Sequence, residues 1–231
     1  MTTIFEAAGA DAHGRAPHFM WWNFLILLGA FCAFPLMDLM PQWTAWESGP
    51  LEGAQNFILL AGGLAAMAAV RELRTPSSKA LLAIAALFWI AFLGRELAWG
   101  AVFVPPEMMT EWGPSWSSKH LWYRPAVPYV LAAMGLLAAY WWLHYRVWSE
   151  VLLRLARERA LPLFALGQFV AYMVLATNAE GHGFVRLEDW YGTQVMVLEE
   201  LMETLGYLAL LLAQAMVVFH LRQPVQQESG R

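Results

Sequence analysis

The stretch ALLAIAALFWIAFLGRELAWGAVFV, residues 80–104, carries Arg95 and Glu96 as its only charged side chains. A block of about 20 mostly apolar residues is long enough to cross the hydrocarbon layer as a helix. A soluble helix needs only one apolar stripe and keeps its opposite face polar. The stretch therefore predicts a transmembrane helix, and Pro105-Pro106 marks its end. The same reading recurs at 19–40, 51–70, 126–145, 161–177 and 193–221. It predicts an all-α, polytopic transmembrane helix bundle of about six spans. Gly49-Pro50 is a start signal for the second span, and Pro35 predicts a bend at the outer end of the first. Residues 1–231 contain no internal repeat and read as a single membrane-embedded domain.

Composition agrees with this reading. Hydrophobic residues make up 59% of the chain and charged residues 14%, against about 45–50% and about 25% in soluble domains. Most of the 13 tryptophans fall near span ends, where an indole ring can be half in lipid and half in water. The bilayer is thus the partner that composition establishes. A second copy or another membrane protein is a further candidate. A net charge of −4 without a basic run excludes nucleic acid. Cys32 is the only cysteine, which excludes an internal disulfide and cysteine-based zinc or iron–sulfur sites. Inside an apolar block it reads as a small core residue. The N-terminal tail holds Glu6 and Asp11 and lacks a basic region, so the first apolar block reads as a retained helix.

Positive charge fixes the expected orientation. Arg15, then Arg71, Arg74 and Lys79, then Arg146, Arg154, Arg157 and Arg159, and finally Arg222 and Arg231 fall on one side. The other side has Lys119, Arg124 and Arg186. Loops rich in Lys and Arg stay cytoplasmic, which places both termini inside. Six spans require the same parity. The segment from Arg154 to Arg159 reads as a basic interfacial helix on the inner leaflet.

With that orientation, ionisable residues gather at one depth. Glu52, Gln55 and Asn56 occupy the outer turns of the second span at helical spacing. Arg95, Glu96 and Trp99 occupy the outer third of the third span. Glu199, Glu200 and Glu203, followed by Tyr207, occupy the outer half of the sixth. The inner halves hold little beyond Gln168 and Gln214. A charge at a helix centre costs roughly 2.5–3.5 kcal/mol on insertion scales, so these groups are expected to face the bundle interior. Five glutamates against Arg95 leave a negative surplus, and crowded carboxylates disfavour one another's charge. A proton, a metal ion, or loop cations from Lys119, His120, Arg124, His182 and Arg186 would relieve it. Long outer connections carry Trp112, Trp116 and Trp122, and then His182 with Glu188, Asp189 and Trp190. The first is expected to lie on the bundle or dip into it.

Glu52, the segment Arg95-Glu96-Leu-Ala-Trp99-Gly100, and the segment Glu199-Glu200-Leu-Met-Glu203 together resemble a group of bacterial six-helix inner-membrane proteins, itself uncharacterised. The likeness rests on three short segments. It implies a bacterial inner membrane and no particular chemistry.

Three functions fit these residues. In an outer-face enzyme or binder of a lipid-linked or small polar ligand, Glu96, Glu200 and Glu203 would act as acid and base. Glu52, Gln55, Asn56, Arg95, His120, Arg124 and Glu199 would bind the ligand. His182 with Glu200 and Glu203 is a candidate divalent-metal set, since carboxylates three or four apart converge on a helix face. Haem is disfavoured, because no pair of histidines faces across the bilayer interior. A proton- or cation-coupled transporter would use the same glutamates, although it needs a route to both sides. A structural subunit would use the cluster only to pin helices together. His144 and His220, near inner span ends, are expected to snorkel. No nucleotide-binding loop, nucleophile elbow or zinc-protease motif is present.

Overall fold

The computed structural model describes residues 16–110, 113–183, 187 and 192–223. Glu6, Asp11, Arg15, Trp112, Arg186, Glu188, Asp189, Trp190 and Arg231 lie outside the described residues. Among the described residues, seven α-helices follow in order: α1 (Ala16–Leu39), α2 (Pro50–Glu72), α3 (Pro76–Glu96), α4 (Val127–His144), α5 (Leu153–Arg157), α6 (Leu163–Ala179) and α7 (Val195–Arg222). Five helical stretches are long and apolar enough to cross a membrane: His18–Leu39, Gln42–Glu72, Pro76–Glu96, Arg124–His144 and Gly192–Arg222. The chain is a multi-pass helical membrane protein. The fifth expected span, α6, has only 17 residues. At 1.5 Å per residue it reaches about 25 Å, short of the roughly 30 Å hydrocarbon core.

The residues group into two compact units. One contains α1, α6 and most of α7 (residues up to Met40 and Leu163–Met216). In it, Gly29 of α1 lies against the Leu205 side chain, where an added Cβ would sit 2.9 Å from Leu205 Cδ2. Gly206 of α7 likewise faces Met173 of α6. Small residues let helices approach closely where lipid supplies no hydrophobic drive between them. Cys32 is exposed, which corrects its reading as a core residue. It is on the outward face of α1, while Ile26, Ala30, Ala33 and Met37 form the buried stripe.

The other unit contains Pro41–Pro162 and the tail from Val217. Its centre is the α2–α3 antiparallel pair, joined by Leu73, Arg74 and Thr75. Pro50 and Pro76 start the two helices at first-turn positions, where the missing N–H costs nothing. Thr75 caps α3 by accepting the Ser78 N–H at 3.3 Å. The fully buried Trp89 ring of α3 lies flat on Gly62 of α2, and a Cβ there would come within 2.6 Å of it. On α4, only Val127 is buried. Ala80, Ile84 and Val147 pack with Trp141, Trp142 and Tyr145 at its far end. Beyond it, Val147, Val151 and Leu155 recur every fourth residue and are buried. That makes the π-turn Trp148–Leu152 and α5 amphipathic, with Arg146, Arg157 and Arg159 exposed. Arg154 pairs with Glu158 at 3.7 Å, and His220 reaches the same carboxylate at 3.0 Å. Arg222 pairs with Glu72. His220 is therefore tied to an acid, while His144 stacks on Tyr140 with ring centroids 5.1 Å apart.

Two expectations change. The third span was expected to run to residue 104, but its helix ends at Glu96. Ala98, Trp99 and Gly100 all have positive φ (43°, 56° and 98°), which no right-handed helix tolerates. The chain continues as a 3-10 segment, Ala98–Phe103. The fold is also not wholly helical, because Met108–Thr110 and Gly113–Ser115 form an antiparallel hairpin, with Met109 opposite Pro114.

The contact between Gly62 and Trp89 carries a stability prediction. Gly62→Ala should destabilise the folded protein by about 1–3 kcal/mol through overpacking. Gly53→Ala, on the same helix with nothing within 4 Å, should be neutral or up to about 1 kcal/mol stabilising. Thermal unfolding in detergent, read by helical circular dichroism, compares the two.

Candidate functional site

In the second unit, the antiparallel pairing of α2 and α3 with a short link brings the first turn of α2 level with the last turn of α3. Glu52 is buried, and its carboxylate accepts the Ser48 N–H just before the helix. An acid in this position satisfies an end-of-helix donor and complements the positive end of the helix dipole. Glu52 thus has a local structural role as well as its place in the candidate site. Gln55 is fully buried one turn later. The Asn56 amide oxygen is buried without a hydrogen-bond partner among the described residues. At the end of α3, Arg95 Nη1 lies 3.3 Å from Glu96 Oε1; the arginine side chain is 54% exposed and the glutamate 9%.

The Trp-rich connection that follows lies against this same unit. Trp116 donates its backbone N–H to Glu47 Oε2 at 2.7 Å and its indole N–H to the Val104 carbonyl at 2.8 Å. Gly113, at φ 103°, sits on the Trp46 ring, and a Cβ there would meet the ring at 2.5 Å. The Tyr123 hydroxyl donates to the Trp99 carbonyl at 2.8 Å. The Trp99 ring in turn covers Gly94, immediately before Arg95. Left-handed backbone at non-glycine residues costs on the order of 1–3 kcal/mol per residue and persists only where surroundings hold it. Here Tyr123 and the Gly94 contact do the holding, next to the Arg95–Glu96 pair.

The loop cations find local partners. His120 Nε2 is 3.1 Å from Glu107, and Arg124 Nε donates to the Ser118 hydroxyl at 2.8 Å. Lys119 is exposed. His120, Arg124, Glu96, Arg95, Glu52, Gln55 and Asn56 therefore all belong to the second unit.

Glu199, Glu200 and Glu203 belong to the first. Glu203 is 7% exposed and shares the buried stripe of α7 with Met202, Gly206 and Tyr207. Glu199 and Glu200 are half-buried one turn earlier. None of the three is without an interaction partner. His182 is exposed, with Nδ1 3.3 Å from Glu180. Among the described residues, no three His, Cys, Asp or Glu side chains converge as a metal site. His182, Glu200 and Glu203 are accordingly not gathered into the metal set that their spacing suggested.

Sequence reasoning singled out Trp116 in the Trp-rich connection but missed the other residues that hold that connection: Trp46, Glu47 and Tyr123. Its density of tryptophan was the only signal. It also missed Asn23 and Tyr172, which share hydrogen bonds with Gln168. No protein-family model matches this chain, and no curated protein or solved structure matches it.

Tyr123→Phe removes the bond to the Trp99 carbonyl and leaves the ring in place. The expected loss is about 1 kcal/mol, with faster proteolytic cleavage of the 98–126 connection than in the unaltered protein. Limited proteolysis in detergent, followed by mass mapping of the cleavage sites, checks this.

Proposed function

We propose that this is a six-span bacterial inner-membrane protein with both termini cytoplasmic, whose outer-half carboxylates bind a cationic or small polar ligand from the outer side. The supporting observation is Glu203. It is buried inside a membrane-length helix, on the stripe of Met202, Gly206 and Tyr207, with Glu199 and Glu200 one turn nearer the helix N-terminus. An intramembrane acid carries a large desolvation cost and marks a ligand or ion site by default. Because no three metal-ligating side chains converge among the described residues, an organic cation or polar molecule fits better than a bare metal ion. Glu200 and Glu203 are the groups that would move a proton if the ligand is also a substrate.

A second reading has one observation in its favour. The bond from Ser48 to Glu52 gives that carboxylate a purely structural task. On that reading the acidic residues fasten helices.

Two experiments test the proposal. For orientation, Cys32→Ser supplies a cysteine-free background. A membrane-impermeant maleimide added to spheroplasts should then label Ser117→Cys and not Ser77→Cys; the reverse pattern rejects the inside termini. For binding, calorimetric titration of reconstituted protein with spermidine and with Mg2+ should give heat that Glu203→Gln abolishes while the unfolding midpoint stays near its original value. No heat with either probe, or a Glu203→Gln protein that merely unfolds, favours the fastening reading.

A further inference from the structure

The antiparallel pair of α2 and α3 has one end at Glu52, Arg95 and Glu96. The opposite end is strongly basic. The link from α2 to α3 brings Arg71, Arg74 and Lys79, and the stretch after α4 brings Arg146, Arg154, Arg157 and Arg159. The last turn of α7 adds His220 and Arg222. All of these belong to the second unit.

Three acids accompany them among the described residues, and each is already engaged. Glu72 pairs with Arg222. Glu158 lies 3.7 Å from Arg154 and 3.0 Å from His220. Glu150 lies 4.0 Å from Arg146. Through Glu72 and Glu158, the end of α7 is tied to both the end of α2 and the end of α5. Four arginines are left over. Arg71, Arg74, Arg157 and Arg159 are exposed, and their side chains have no ion pair or hydrogen bond among the described residues.

Their place in the fold says what they meet. At this end α2 stops at Glu72, α3 begins at Pro76 and α4 stops at His144, and all three are of membrane length. The ends of such helices stand among lipid head groups. Trp148, beside Arg146, is 56% exposed, as an indole at that level is. A free basic amphipathic helix sinks its apolar face into lipid. Here protein occupies that face: Val147, Val151 and Leu155 are at most 1% exposed, and Val147 packs with Ala80 and Ile84. The segment therefore meets the membrane through its charged side.

We propose that this basic end docks anionic phospholipid, with Arg71, Arg74, Arg157 and Arg159 meeting the phosphate of the head group. A guanidinium fork matches phosphate oxygens two at a time. A zwitterionic head group brings its own cation and no net charge, so the unspent positive charge selects phosphatidylglycerol over phosphatidylcholine. The occupant is a lipid and not free phosphate, because the bilayer holds head groups at high local concentration where these helices end.

For the test, full-length protein is reconstituted in nanodiscs containing phosphatidylcholine and phosphatidylglycerol in equal parts. It is re-extracted in detergent, and the retained lipids are counted by mass spectrometry. Phosphatidylglycerol should be enriched about five-fold over the starting mixture, the ratio that one arginine near a lipid surface gives. The fourfold variant Arg71→Gln, Arg74→Gln, Arg157→Gln, Arg159→Gln should return the ratio to that of the mixture, whereas Lys at the same four positions should keep the preference. Extraction of the unaltered protein at high salt should also erase it, since the Debye length falls to about 3 Å at 1 M. No enrichment in the unaltered protein overturns the proposal without recourse to any variant. Enrichment that survives the four glutamines or high salt overturns it too. Enrichment lost to millimolar inorganic phosphate at constant ionic strength assigns the arginines to free phosphate and overturns the lipid.

Discussion

Hydrocarbon gives no solvation to a charge or to an unmet hydrogen-bonding group, and the rest of this structure depends on that constraint. Helices satisfy their own backbone, which is why the chain is built from them. The exceptions need explanation one by one. The backbone leaves helical geometry at Ala98–Gly100, and there the Tyr123 hydroxyl meets the Trp99 carbonyl. The hairpin 108–115 closes its own ladder, and the Trp116 amide is met by the Glu47 carboxylate. Glu52 meets the donor just before its helix. In each case a polar group that would be costly is satisfied by a named neighbour.

Small residues and tryptophan do the packing. Trp89 on Gly62, Trp99 on Gly94 and Trp46 on Gly113 are three instances of an indole seated where a Cβ would collide. The two on helices set how closely chain segments approach. The third fixes the hairpin strand Gly113–Ser115 against Trp46. Flat aromatic surface against glycine gives dispersion contact over a large area, which in lipid substitutes for the hydrophobic drive that soluble cores use. The segment from Trp148 to Arg157 works differently. Val151 and Leu155 are buried and Arg157 is exposed, while the half-buried Arg154 pairs with Glu158, so amphipathicity and an ion pair together hold it.

Much of the helix pattern was legible because lipid demands long apolar runs and punctuates them with proline: Pro50 begins a helix where the sequence says it should, while the third helix starts at Pro76, ahead of the expected residue 80. Three features were not legible. The end of α3 at Glu96 depends on backbone torsions of Ala98 and Trp99, residues with no general preference for that geometry. The outward face of Cys32 follows from a helix whose hydrophobicity is nearly uniform, so the pattern gives no inner side. The seating of the Trp-rich connection depends on Glu47 and Trp116, which are 69 positions apart, a separation no local signal spans. Of the candidate site, the residue types and their positions along each helix could be read, since charge stands out against an apolar background. The partners of each carboxylate could not, because they come from tertiary packing.

The central claim is that the outer-half glutamates form a site that opens to the outer aqueous side. The most direct measurement is chemical modification of carboxyl groups from that side, using a membrane-impermeant carbodiimide with an amine nucleophile on sealed right-side-out vesicles, mapped by peptide mass spectrometry. The account predicts modification at Glu199, Glu200 or Glu203 that spermidine suppresses. Glutamates that stay unmodified until the protein is denatured would contradict it, and would make the cluster a fastening closed to ligands.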